Sequence, residues 1–449
     1  MNQSLSDLRN LASAPLYTCP KTTISRGKKH ADLVRDPVPP APLAVAVAGS
    51  AGLGTTCEIT GHLSKRDGRF ALQTTARKLL EGASHPRSAK GYRIAHCQRS
   101  RIKDGLVSIL VGPKGKAKLG GLQSCGSVWC CAVCSHKIMR LREEEVAKGM
   151  NNHFAAGGGA VMVTFTIPHK RNHPLAMLVQ KFSAARALMR ESRAFKTLDS
   201  LYGVDGNIRA LEVTFGFKNG WHNHTHEVWL LEKHLKLAQL KALKKEVFRL
   251  WKAACLKVGL QAPTLAYGVD VKAAYSPAEY LTKFSRDQKW GTGAELAKSS
   301  LKTAKQNEGR FVPFDFLRAH QAGDRPEIMK KLFQEYAFAM FNGRQLRWSK
   351  GLKKRLQIEE KTDEELAAES EAQHIEAGTI SRDDWRKVIE RPTDARPVVL
   401  RTFEAGGMDA VNRFIAGLDP YDSQRARGGG RIWTNLLTGE IIGGDHDKD

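Results

Sequence analysis

The chain has 449 residues, enough for two or three domains and a sizeable buried core. Lys and Arg number 71 against 46 Asp and Glu, a formal charge of +25, and the sequence pI is about 9.8. That excess points to a polyanion, because each phosphate neutralised by Lys or Arg releases condensed counterions. No run approaches the roughly 20 apolar residues of a membrane-spanning helix. No basic amphipathic helix carries the apolar flanks of a membrane-surface anchor. Nucleic acid is therefore the expected partner, with no membrane.

Residues 1–60 carry Ser, Pro, Ala and Gly without sustained periodicity and are expected to be disordered. The apolar run Ala41–Val47 is short, follows Pro39-Pro40 and lies too far from Met1 to be a secretory signal. A cytoplasmic location follows as an expectation. Thiols stay reduced there, so the eight cysteines point to metal binding or buried thiols instead of disulfides.

Residues 86–150 form a basic, cysteine-rich segment. Cys125, Cys131 and Cys134, with Cys97 upstream, can supply four thiolates to one tetrahedral Zn²⁺. A Cys-x2-Cys turn lets two sulfurs converge while nearby backbone amides hydrogen-bond to them. Cys130 rivals Cys131, and His96 and His136 are reserve ligands; the competing reading is a set of buried thiols.

Residues 151–355 read as an α+β domain, a central antiparallel sheet with flanking helices. Ala160–Ile167 is dense in β-branched and aromatic residues and predicts a strand. Leu175, Leu178, Phe182, Ala185 and Met189 recur at helical spacing behind Pro174. Ile208–Phe217 and His222–Leu231 predict a hairpin around Asn219-Gly220. Leu240, Leu243, Val247, Trp251, Ala254 and Val258 mark a second helix, and a third is expected near Ser276. Residues 356–449 are expected to be an acidic linker, Glu359–Glu371, and a C-terminal region with a Gly-rich tail.

Trp221-His-Asn-His-Thr-His226 carries the sharpest chemistry. Residues two apart on a strand share a face, so His224 and His226 can present two imidazoles to one divalent ion. His222 shares their parity near the turn. Two histidines and a carboxylate suit Mg²⁺ or Mn²⁺ at a phosphodiester. Glu212 is the candidate carboxylate: a two-residue loop pairs it with Glu227, on the wrong face, whereas a Lys218-Asn219-Gly220 loop pairs it with His226. Tyr280 and Lys283 lie three residues apart, neighbours on one helix face. Full ionisation of a phenol of pKa near 10 costs roughly 4 kcal/mol at pH 7. An electrophile polarised by a metal and a nearby ammonium both lower that barrier.

Taken in order, these pieces resemble the rolling-circle replication initiators of bacterial plasmids, within the HUH endonuclease class. The resemblance spans about residues 90–355. It rests on Cys125–Cys134 with Ile138 and Arg142, Val163–His169, Glu212–His226, Ala278–Lys283 and Gly343–Leu352. It implies an HUH-type palm in which Tyr280 attacks one strand of a plasmid origin, single-stranded or extruded as a cruciform. The tyrosine would become joined to the 5′ phosphate, leaving a 3′ hydroxyl for a host polymerase and helicase, and rejoin strands at termination. Arg140, Arg142, Arg344 and Arg347, in or beside these segments, are the expected DNA contacts. Thr225 replaces the hydrophobic residue usual between the histidines. Ser276 stands where some relatives carry a water-activating carboxylate, which leaves the terminating group open. Competing readings are a conjugative relaxase or transposase, a zinc-stabilised DNA-binding regulator without catalysis, and a metal-dependent hydrolase. The sequence does not fix an oligomeric state.

Overall fold

The computed structural model describes residues 65–83, 85, 88, 91–102, 105–274, 310–368, 374–391 and 394–418, and the backbone of 433–434 and 441–443. The expectations for residues 1–60, Ser276, Tyr280 and Lys283 lie outside the described residues.

Helix α1 (Lys65–Leu79) precedes a hairpin of β1 (Val107–Val111) and β2 (Ala117–Gly120). The cysteine-rich turn then opens α2 (Ala132–Ala155), which the Cys131 sulfur caps by accepting from the Cys134 amide. Next come β3 (Gly159–Thr166), α3 (Leu175–Glu191) and α4 (Arg193–Leu201). The long hairpin of β4 (Val204–Gly216) and β5 (Gly220–Leu231) leads to α5 (Leu237–Lys257), the single turn α6 (Leu265–Gly268) and β6 (Val269–Ala273). Beyond residue 309 lie β7 (Arg310–Phe311), α7 (Pro313–Gln321), α8 (Pro326–Ala339), β8 (Leu346–Trp348) and α9 (Leu352–Arg355). The chain continues through α10 (Asp363–Ala368), β9 (Ile375–Ile380), α11 (Arg382–Ile389) and α12 (Arg396–Ala416).

The architecture is mixed, with antiparallel sheets and helices. The main sheet runs β6-β3-β5-β4, and the outer side of β4 takes β7 at Phe215–Gly216 and β8 at Ile208–Ala210. Strand β3 sits between β5 and β6, and side chains pack on both of its faces, which explains its near-continuous apolar sequence. Strand parity then sorts the core. Val161, Val163, Phe165, Val213 and Trp229 pack with α3, α5, α7 and α8. Ala160, Met162, Ile208, Ala210, Val228 and Leu230 pack on Val146 and Met150 of α2 and Leu352 of α9. The helical spacing of α3 predicted its buried stripe correctly: Leu175, Leu178, Phe182, Ala185 and Met189 are all inside. Each of the four larger side chains contributes roughly 1.5–3 kcal/mol.

A second, three-stranded sheet has the order β2-β1-β9. Here Val107 and Ile109 share a core with Phe70 of α1, Trp385 of α11 and Val399 of α12. Residues from the expected C-terminal region thus complete a sheet begun in the cysteine-rich segment. The acidic stretch expected as a linker also packs, since α10 buries Leu366 and Ala367.

Candidate metal centre and nucleic-acid interface

The β4–β5 hairpin turns through Phe217-Lys218-Asn219, with the Asn219 amide donating to the Gly216 carbonyl at 3.1 Å and Gly216 paired with Gly220. Gly220 has φ +77°, and a Cβ there would lie 2.4 Å from the Arg171 carbonyl oxygen. Only glycine meets both demands. The resulting register places Glu212 opposite His224, Ala210 opposite His226 and Thr214 opposite His222. The expected Lys218-Asn219-Gly220 loop, pairing Glu212 with His226, is therefore displaced by one residue, which moves the partner of Glu212 by two. Phe217 belongs to the turn, where it packs edge-on against Phe215 and Phe311. A shift of two preserves parity, so Glu212 still shares a face with both histidines.

Glu212 Oε2 lies 3.0 Å from His224 Nε2 and 3.4 Å from His226 Nε2. All three residues are buried. They form one group of candidate metal ligands. Glu212 Oε2 and His224 Nδ1 are buried without a hydrogen bond of acceptable geometry. An anionic oxygen and two imidazoles facing one point suit a divalent cation. His226 Nδ1 is 3.0 Å from Thr164 Oγ1; with Nε2 committed to an ion, Nδ1 carries the proton and Thr164 accepts it, fixing the ring. Burial opposes ionisation of Glu212, but the close approach of His224 and His226 outweighs it and brings the carboxyl down to about 2.

His222 stands outside that group. His169 Nδ1 donates to the Asn219 carbonyl at 3.1 Å, so its Nε2 is the acceptor for His222 Nδ1–H at 3.0 Å. Burial, with His224, His169 and Arg310 nearby, lowers the His222 pKa to about 3. Its Nδ1 is committed to His169.

The cysteine block assembles the four thiols read from its spacing: Cys97, Cys125, Cys131 and Cys134 are buried together. The Sγ separations Cys97–Cys134, Cys97–Cys131 and Cys125–Cys134 are 3.4, 3.7 and 3.7 Å. A tetrahedral zinc with Zn–S of about 2.3 Å requires edges of about 3.8 Å, so the cage fits that ion. Amides of Cys125, Ser127 and Cys134 approach the sulfurs of Cys97, Cys125 and Cys131. Gln73 of α1 donates to Cys131 Sγ at 3.1 Å. Burial disfavours a thiolate at Cys131, but hydrogen bonds from Cys125, Cys134 and Cys97 override it and push the thiol down. Cys130 is outside the group, its pKa raised by burial to about 12. His96 bonds Ser100, and neither it nor His136 joins the cage.

The four arginines expected at DNA separate into two kinds. Arg344 and Arg347 are exposed and line a groove of about 980 Å³ with Trp129, Trp348 and Lys350. Arg140 is on the surface with Glu144 at 2.8 Å. Arg142, by contrast, is buried and held at 2.8 Å by each of Glu145, Asp363 and the Lys361 carbonyl. It ties α2 to the acidic segment. Thr164 was legible in principle from the parity of β3, whereas no local signal links Gln73 to a cysteine 58 positions on.

The chain is similar to a protein named "Protein rep" from Streptomyces lividans, 28% identical over 349 residues, covering 62% of this chain and 75% of that one. A "Neomycin resistance protein" from Streptomyces cyanogenus is 30% identical over 141 residues, 26% of this chain and 32% of that protein. This chain thus spans about a third of the latter. No protein-family model and no solved structure matches the chain.

Proposed function

We propose that the chain initiates rolling-circle replication of a plasmid by nicking one origin strand and holding its 5′ end on Tyr280. The observation that carries this reading is the convergence of Glu212, His224 and His226 on one sheet face. The similarity to a Rep protein supports the plasmid setting. The chain leaves β6 at Ala274, whose amide bonds to the Ala160 carbonyl, and Tyr280 follows six residues later. Six residues reach at most about 20 Å, and Ala274 packs in the core on the metal-bearing face.

In this mechanism a bond forms between the Tyr280 oxygen and the scissile phosphorus while the bond to the 3′ oxygen breaks. The phenolic proton leaves and the 3′ oxygen ends as a hydroxyl, the primer for a host polymerase working with a host helicase. Because one phosphodiester replaces another, rejoining needs no ATP. Lys283 stabilises charge on tyrosine or phosphate. Mg²⁺ or Mn²⁺ held by Glu212, His224 and His226 would polarise the scissile phosphate. Zn²⁺ at the four cysteines would be structural, since four thiolates leave no open position.

The test is a denaturing gel of labelled single-stranded origin DNA incubated with the protein and Mn²⁺. A covalent adduct is expected from the native sequence and none from Tyr280→Phe. An adduct that persists in Tyr280→Phe overturns the nucleophile, and cleavage that survives EDTA overturns the metal.

A further inference from the structure

Behind the hairpin, on the sheet face away from the metal group, lies a concentration of guanidinium groups that the proposed chemistry does not use. Glu227 is fully buried and accepts from Arg186 Nε at 2.5 Å and Nη2 at 3.0 Å. Trp229 Nε1–H also donates to it, at 3.1 Å. Arg190 reaches Asp199 at 3.4 Å and stacks over Phe195. The Asn207 amide, turned as its neighbours require, accepts from Arg186 at 3.2 Å and Arg190 at 3.3 Å. These two arginines are satisfied internally.

Arg209 is different. It is half-buried, and burial, Arg186, Arg347 and Arg190 depress its pKa to about 10 against the pull of Glu227. In β8 the residue directly opposite it is Arg347, which is exposed. Like charges directly across a ladder destabilise it. The acids of β4 are engaged elsewhere, Asp205 with Arg355 at 2.8 Å and Glu212 with the histidines. Among the described residues no hydrogen bond or salt bridge holds either guanidinium: Arg209 has Glu227 across the ladder on its other side, and Arg347, beside it, lines the groove that also holds Arg344 and Lys350. A tetrahedral oxyanion satisfies such a pair, because guanidinium forks match phosphate bidentately.

We infer that Arg209 and Arg347 form a phosphate-binding site that grips the backbone of a nucleic-acid strand beside β8. This rests on the nucleic-acid reading above but not on the nicking chemistry. The site would position a strand without reading its bases, since phosphate contacts carry no sequence information.

The experiment uses full-length protein and fluorescein-labelled oligothymidylate in EDTA, with anisotropy read across a salt series. Arg209→Gln and Arg347→Gln should each weaken binding about tenfold and flatten the log–log salt slope by about 0.7 per lost phosphate. Arg209→Lys should recover part of the affinity. Arg347→Gln removes the like charge alone and should leave the melting temperature unchanged or raise it, so weaker binding by an equally or more stable protein distinguishes a ligand site from a structural one. Arg347→Gln, on the surface, guards against a folding artefact at Arg209. Inorganic phosphate and a methylphosphonate oligothymidylate separate the sources: the strand-backbone assignment requires competition by neither at concentrations where unmodified oligothymidylate competes. Unchanged affinity and slope in both Gln variants, or displacement by inorganic phosphate at equal concentration, overturns it. A covalent adduct from the Gln double variant with unchanged oligothymidylate binding defeats this site alone. Absence of the adduct from the native sequence with the predicted slope change defeats the nicking reading alone.

Discussion

Glu212 stands directly across the β4–β5 ladder from His224, with its Oε2 3.0 Å from His224 Nε2. The pairing puts a carboxylate under two imidazoles and sets how the centre responds to pH and metal. The Glu212 carboxyl is brought down to about 2 by its histidines, below its unfolded value of about 4.3. A depressed carboxyl contributes stability that is complete above about pH 4.3 and lost as pH falls through about 2. In EDTA, Glu212→Gln should therefore lower stability most above about pH 4.3, where the contribution of the carboxylate is complete. The two proteins should converge near pH 2. Acid titrations followed by circular dichroism check this, and superimposable profiles would refute the pairing.

At neutral pH the same buried carboxylate needs a cation. Mn²⁺ should raise the melting temperature of the native protein, and His224→Ala should weaken that binding by more than tenfold. His222→Ala should change it far less, since His222 bonds His169 outside the ligand group. Calorimetric titration separates the two.

Gly220→Ala should cost at least about 1–2 kcal/mol, because an L-residue is forced into the left-handed region and its Cβ meets the Arg171 carbonyl. Denaturant melts measure the loss. A neutral result would mean that the turn has another conformation.

Zinc content distinguishes adjacent cysteines. Cys131→Ser should release the ion and unfold the region, losing a share of the roughly 10–16 kcal/mol that such sites contribute. Cys130→Ser should keep one zinc per chain, as the Cys130 thiol lies outside the cage and is pushed up to about 12 by burial. Metal analysis of both variants decides the matter.

Arg142→Leu should destabilise the fold by about 3 kcal/mol, since it strands Asp363 and leaves Glu145 only Lys353 of its two cations. Its effect on DNA affinity, measured where the variant is folded, should be small. Arg140→Ala, removing an exposed pair, should alter stability by less than about 1 kcal/mol. If Arg142→Leu folds normally and loses DNA binding, the assignment to structure is wrong.

Alternation and spacing by themselves determined much of this protein. Period-2 alternation put His224 and His226 on one face before any contact was known, because strand parity is a property of the backbone. Cys-x2-Cys spacing selected Cys131 and Cys134, and helical spacing found the buried stripe of α3. Tertiary structure alone decided the rest. The hairpin register depended on Gly220 fitting under the Arg171 carbonyl, a contact set by a distant segment. Gln73 meets Cys131, and β9 meets β1, only because the chain returns from far away. Arg142 looks like any surface cation in sequence; its burial follows from the acidic segment folding onto α2. Local sequence specifies periodicity and turn chemistry, while long-range pairing is set by which faces must leave water together.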